Sequence, residues 1–229
     1  MISHERIYEE MATAYDEMIS RQPDLGSTLR EIRPWTGLDA LDLGAGSGRL
    51  SLLLAQEARS LVCTDGSAEM LKLLDRKLLD AGVPRIWKSI VADHMQLPFE
   101  DGSFDYAVAG WTIGYVANTD NPDWQSNLER IMDEIHRVLK PGGTIVIMET
   151  MGTGTETPNP PAFLHRYYNS LVHEYGFSHR WIRTDYRFSS IAEAKAHTEF
   201  FFGTELAARI DRNGWSTVPE CAGIWWKHI

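Results

Sequence analysis

Cysteine is scarce in this chain. The two that occur, Cys63 and Cys221, lie far apart in apolar surroundings and offer neither a disulfide framework nor a Cys-pair zinc site. Each falls in a stretch that reads as a buried strand, so both are expected to be free thiols. H-E-x-x-H is missing, as is any grouping of His, Asp and Glu at metal-ligand spacing, so no metal site is expected. Long hydrophobic runs are also missing. Nowhere do about 18 apolar residues follow one another, and Met1–Arg6 opens no run of signal-peptide length. No membrane partner is expected, and a reducing, cytoplasmic setting is the default. Positive charge is in short supply: 22 Lys and Arg face 32 Asp and Glu, for a net charge of −10. Counterion release from a phosphate backbone needs clustered cations, so no nucleic-acid partner is expected.

What is present is a chain of 229 residues, 43% of them hydrophobic, enough for one α/β domain with elaborations. Residues 1–34 read as a helical prefix, with Ile7, Met11, Ala14 and Met18 on one face of a helix over Ile7–Ile19. Strand and helix then alternate through residues 35–150. Ala40–Leu43 is a strand, Leu50–Ala58 a helix and Ser60–Thr64 a second strand. Ser67 caps a helix from Ala68 to about Ala81. Arg85–Ala92 and Phe104–Gly110 are further strands, followed by a long helix over Trp124–Leu139. Lys140-Pro141-Gly142-Gly143 stops that helix before a fifth strand, Thr144–Met148, whose unbroken apolarity suits a parallel sheet buried on both faces. Residues 151–229 read as an exposed connection over Gly152–Pro161, a helix over Ala162–Tyr175 and a strand over Trp181–Phe188. One or two helices over Ile191–Arg212 and a closing strand over Val218–Lys227 complete the chain. The alternation predicts a doubly wound sheet with helices on both faces.

Chemistry concentrates at the first strand-to-helix turn, Leu41-Asp42-Leu43-Gly44-Ala45-Gly46-Ser47-Gly48. Its glycines permit a tight turn and close approach of a ligand to bare backbone. The spacing is G-x-G-x-G, and Arg49 stands where the dinucleotide fingerprint has its third glycine. That disfavours a nicotinamide dehydrogenase, and no P-loop Gly-Lys-Ser/Thr occurs either. Asp65 ends the second strand, placed either to accept both hydroxyls of a ribose or to cap the helix after it. Asp93 ends the third strand beside His94, placed to accept from an adenine amine or simply to sit in a surface loop. Met70 and Met95 offer flexible apolar faces for a ring.

Together these residues resemble the class I S-adenosylmethionine-dependent methyltransferases, particularly the ubiquinone and menaquinone biosynthesis group. The glycine loop looks like their first motif, and Asp65 and Asp93 match their ribose- and adenine-binding acids. Leu97-Pro98-Phe99-Glu100-Asp101-Gly102-Ser103-Phe104-Asp105 and Arg137-Val138-Leu139-Lys140-Pro141-Gly142-Gly143 are similar to the stretches before their fourth and fifth strands. The resemblance covers roughly Trp35 to Thr150. It implies a Rossmann-like seven-stranded sheet, mostly parallel with an antiparallel C-terminal strand, and S-adenosyl-L-methionine as cofactor. It further implies that Gly44, Ala45 and Gly46 meet the methionine part of the cofactor, and that Gly48 packs at the helix start. Asp65-Gly66 would lie by the ribose, with His94 by the adenine. Gly110 and Trp111 would lie near the sulfonium, and Tyr15 on a helix folded over the cofactor.

On the acceptor side the sequence is less regular. Trp111-Thr112-Ile113-Gly114-Tyr115 departs from the family's pattern after the fourth strand, which weakens transfer of a quinone substrate. Tyr115, Arg166, Tyr167 and Trp181 are the candidates for substrate contact, with Arg166 facing an anionic group; core packing explains Phe163 and Leu164 as well. The expected partner is a small-molecule methyl acceptor. No residue is singled out as a general base. A silent cofactor-binding module remains the alternative reading.

Overall fold

The computed structural model describes residues 4–229. Two short helices open it, α1 (His4–Glu10) and α2 (Ala12–Ile19). The single helix expected here breaks at Met11 (φ −129°, ψ 24°), although i→i−4 bonds bridge the break from Met11 to Ile7 (2.8 Å) and from Tyr15 to Met11 (3.0 Å). A third helix, α3 (Gly26–Ile32), leads to β1 (Asp39–Leu43). The helix after the glycine loop is one turn, α4 (Ser51–Leu54), shorter than expected. Beyond it the amides of Gln56 and Glu57 bond three residues back rather than four, so the chain tightens into turns.

β2 (Ser60–Asp65), α5 (Ala68–Asp80), β3 (Trp87–Val91), β4 (Phe104–Gly110) and α6 (Trp124–Val138) follow as the apolar periodicity dictates. The Ser67 hydroxyl accepts the Met70 amide at the start of α5 (3.3 Å). β5 (Leu139–Thr153) outruns the expected strand at both ends, because β4 pairs with it from Leu139 and the last strand pairs with it as far as Thr153. Then come α7 (His165–His173), β6 (Ser178–Arg183), β7 (Tyr186–Arg187), α8 (Ile191–Phe202), α9 (Thr204–Asn213), β8 (Thr217–Val218) and β9 (Glu220–His228).

The main sheet has seven strands in the order β3-β2-β1-β4-β5-β9-β6, with β7 and β8 pairing separately. β1 to β5 run parallel and β9 alone is reversed, antiparallel to both β5 and β6. Alternation along β4 sends Ala107 and Ala109 into one core with α6 and α7, and Tyr106 and Val108 into another with α3 and α5. Helices therefore cover both faces. A third cluster joins Met18 and Ile19 of α2 to Ala194, Leu206, Ile210 and Val218, fastening the N-terminal helices to the C-terminal ones.

Two of the family-like stretches hold this frame together. Lys140 Nζ bridges Asp39 (2.9 Å) and Asp105 (3.0 Å), and the Arg137 guanidinium donates to the carbonyls of Phe99 (2.6 Å) and Leu97 (3.0 Å). They brace strand starts and the loop before β4. The connection expected to be exposed at Gly152–Pro161 is partly interior: Gly152 and Gly154 are buried, and the Gly154 amide donates to Pro219 O (2.6 Å).

Candidate active site

β1 has β2 on one side and β4 on the other, so the strand order reverses at its carboxyl end. Open α/β sheets bind ligands in the crevice at that point. The glycine loop lies there. Gly44 has φ +69°, and a Cβ on it would stand 2.1 Å from Thr112 Oγ1, so only glycine fits between the loop and the turn after β4. The Ala45 amide donates to Thr64 O (2.8 Å). The Asp65 carboxylate accepts the amides of Gly46 and Ser67, both at 2.8 Å, so it braces the loop as well as edging the cleft. Beneath them the Asp42 carboxyl accepts from Ser51 Oγ (2.6 Å); burial pushes it up to about 7.

The opposite wall is Trp111, at the tip of β4. It is the non-glycine residue among those described with a left-handed backbone (φ 52°), held by a 2.6 Å bond from its amide to Met148 O. The Arg49 guanidinium stacks on its ring, 4.1 Å from the centroid. Tyr15 packs edge-on against Tyr8 (5.1 Å between centroids), and the Tyr8 hydroxyl bonds that of Tyr115, which joins α1 to the turn after β4.

These residues enclose a cleft of about 120 Å³. Of the residues expected from sequence, Tyr15, Gly44, Ala45, Gly46, Asp65, Met70, Gly110, Trp111 and Tyr115 line it. Gly48 stands outside, where a Cβ would meet Leu74 of α5 at 3.1 Å. Gly66, Asp93, His94 and Met95 do not line the cleft either. Asp93 is exposed and accepts the Met95 amide (2.8 Å) in its own turn, two residues past Val91, which pairs with Asp65 at the same edge of the sheet. His94 Nε2 bonds Thr112 Oγ1 (2.8 Å), and burial lowers its pKa.

A larger chamber of about 740 Å³ adjoins the cleft and shares Tyr15, Ile19, Arg49, Trp111 and Tyr115 with it. Three substrate candidates are not in it. Arg166 projects from the exposed side of α7. Tyr167, on the opposite side of that helix, is buried, with its hydroxyl 3.5 Å from Glu149. Trp181 lies on β6, the edge strand farthest from the cleft, and is 43% exposed. Phe163 and Leu164, read from sequence mainly as packing, line the chamber instead.

Sequence reasoning passed over Arg49, Glu149 and Glu220. Glu149, near the end of β5, accepts the Gly114 amide (2.8 Å), and burial pushes it up to about 8. Glu220 opens β9, accepts from Thr150 Oγ1 (3.0 Å) and is pushed up to about 7 by burial. An acid ending an apolar strand was the available signal for Glu149, the same one that picked out Asp65. Nothing local marks Glu220, and Arg49 entered only as the residue in place of a third glycine.

Residues 41–147 match a family model described as a methyltransferase domain. A demethylmenaquinone methyltransferase of Clavibacter sepedonicus is 35% identical over 149 residues, 62% of this chain and 56% of that protein. One of Lysinibacillus sphaericus is 30% identical over 179 residues, 74% of this chain and 70% of its own length. The chain belongs to the class I S-adenosylmethionine-dependent methyltransferases. It spans a little over half the length of the first curated relatives, 56% and 58%. Among solved structures, the YcgJ protein of Bacillus subtilis superimposes with a TM-score of 0.60 at 16% identity, covering 90% of this chain and 97% of that one. At that identity the likeness is one of fold. No helix among the described residues is long and apolar enough to cross a membrane.

Proposed function

We propose that this methyltransferase binds S-adenosyl-L-methionine at the glycine loop and passes its methyl group to a small-molecule acceptor held in the adjoining chamber. The carrying observation is the shared wall. Arg49, Trp111, Tyr15 and Tyr115 belong to both cleft and chamber, so a donor in one and an acceptor in the other would meet across a single layer of side chains.

The cleft suits the cofactor by its backbone. Gly44 and Gly46 present main chain free of a Cβ, and the Asp65 carboxylate lies within reach of a ribose while it holds Gly46. Met70 supplies an apolar wall, and Trp111 and Tyr115 supply aromatic faces for a cation. When bound, the cofactor supplies an electrophilic methyl group on a sulfonium, open to in-line displacement by a nucleophile.

The chain's own residues then align and dehydrate. α1 and α2 carry Tyr8 and Tyr15 across the cleft, and the Tyr8–Tyr115 hydroxyl bond closes it on the acceptor side. Alignment of this kind supplies up to about 7–11 kcal/mol in favourable cases. The chamber is largely apolar, with Phe163, Leu164, Phe201 and Phe202 among its lining, and it suits a planar ring. The relatives' names, which refer to demethylmenaquinone, support a ring of quinone type. We read residues 1–229 as one catalytic unit acting in the cytoplasm.

Calorimetric titration with S-adenosylhomocysteine tests the reading directly. Micromolar binding that disappears in Gly44→Ala is the expected result; no heat at millimolar nucleoside removes it.

A further inference from the structure

Three buried polar atoms in the chamber wall have no hydrogen-bond partner: Arg49 Nη2, Glu220 Oε2 and Gln22 Oε1. Native proteins leave few such atoms unpaired, and each one asks for an explanation. Gln22 is not loosely placed, since its Nε2 donates to Thr184 O (2.7 Å) and so fixes the direction of Oε1. Glu220 is almost wholly buried; Thr150 donates to one oxygen and the Thr153 hydroxyl acts on the carboxyl, but no hydrogen bond of good geometry reaches Oε2. Arg49 stacks on Trp111 across one face, which steadies the cation but gives Nη2 no acceptor. A cationic donor and two acceptors thus line one apolar chamber, beside the point where methyl donor and acceptor would meet.

Building on the proposed cofactor cleft, we propose that the acceptor is a small aromatic acid. Its carboxylate is received by Arg49 Nη2, and a neighbouring ring O–H or N–H donates to Glu220 Oε2 or Gln22 Oε1. Glu220 is close enough to act on the Arg49 charge but leaves Nη2 without a hydrogen bond, and the planar fork of the guanidinium matches a carboxylate. The apolar rings of Phe163, Phe201 and Phe202 receive the body of the molecule. Side-chain rotamer changes, common on binding, bring the sealed atoms into contact with it. Arg49 thereby takes the anion-receiving role that sequence assigned to Arg166.

A carboxylate at Arg49 has two sources, the acceptor and the methionine part of the cofactor, and the test separates them. The full chain, saturated with S-adenosylhomocysteine, is titrated with 3-hydroxy-2-naphthoate and with its neutral amide. The acid is expected to bind at least tenfold more tightly than the amide. In Arg49→Met, again saturated with S-adenosylhomocysteine, the two should come within threefold. Equal binding of acid and amide by the wild-type chain, or no binding of the acid at millimolar concentration, overturns the inference. So does an Arg49→Met chain that loses S-adenosylhomocysteine tenfold yet keeps the acid preference, because the cofactor is then the source. If Arg49→Met does not fold, the wild-type comparison still decides. Failure of the wild-type chain to bind S-adenosylhomocysteine at all would instead remove the cofactor reading beneath it.

Discussion

The guanidinium carbon of Arg49 lies 4.1 Å from the centre of the Trp111 ring, and these two residues form the partition between cleft and chamber. Trp111 reaches that position through a left-handed backbone, φ 52°, a conformation that costs a bulky residue on the order of 1–3 kcal/mol. Strain of this kind persists where surrounding contacts over-determine it. Here the amide bond to Met148 O and the stacked cation do so.

Trp111→Gly separates the strain from the ring. Glycine relaxes the backbone while the lost ring gives up burial, and the two effects oppose each other. The melting temperature is expected to stay within about 2–4 °C, the shift produced by ~1 kcal/mol in a chain of this size. Methyl transfer should fall at least tenfold, read as kcat in a cofactor-turnover assay.

Gly44→Ala adds a methyl group where Thr112 leaves no room, at a φ that disfavours any Cβ. A loss on the order of 2–4 kcal/mol follows. Denaturant unfolding checks it, and loss of S-adenosylhomocysteine binding should accompany it.

Glu149→Gln tests the buried acid. Burial raises the Glu149 carboxyl to about 8, above its unfolded value of 4.5, so the folded state holds the proton more tightly. The stability this contributes is fully present below about 4.5 and is lost as pH rises through 8. Asp42 and Glu220, both raised to about 7, act in the same direction. Melting temperature should therefore fall between pH 5 and pH 8.5. Glutamine keeps an oxygen for the Gly114 amide and carries no charge, so the fall should be smaller in the variant. An unchanged fall would place the titration elsewhere.

Tyr8→Phe removes the hydroxyl link between α1 and the turn after β4. A cost of about 1 kcal/mol is expected. It should appear as faster amide exchange in residues 6–10 and a severalfold weaker affinity for S-adenosylhomocysteine.

Arg166→Ala and Trp181→Ala should leave kcat/KM within twofold, since neither side chain lines the cleft or the chamber. Phe201→Ala, in the chamber wall, should lower kcat/KM about tenfold or more, as loss of an aromatic contact worth about 1.5–3 kcal/mol requires.

Much of the cleft lining was legible because its signals are local. A glycine loop between a strand and a helix, and an acid at the next strand tip, are set by a few adjacent residues, and parallel pairing carries them to one edge. Gly48, Asp93, His94 and Met95 were read as part of the same set, but their side chains or backbones are spent on packing and turns beside the cleft. Sequence places a residue on a strand tip; it does not say which way the tip's turn aims it.

By itself the sequence determined the alternation of strand and helix and the glycine loop at the first turn, because hydrophobic period and turn chemistry act over a few residues; the reversed last strand came from the family resemblance. Tertiary structure alone decided the chamber. Its wall joins Gln22 of the prefix, Arg49 after the loop, Glu149 on β5, Phe201 on α8 and Glu220 on β9, residues with no common local pattern. What unites them is the fastening of α2 to α8 and β8 through Met18, Ala194 and Val218, a packing of segments nearly two hundred residues apart. Contacts of that range depend on how whole surfaces fit, and no window of sequence records them.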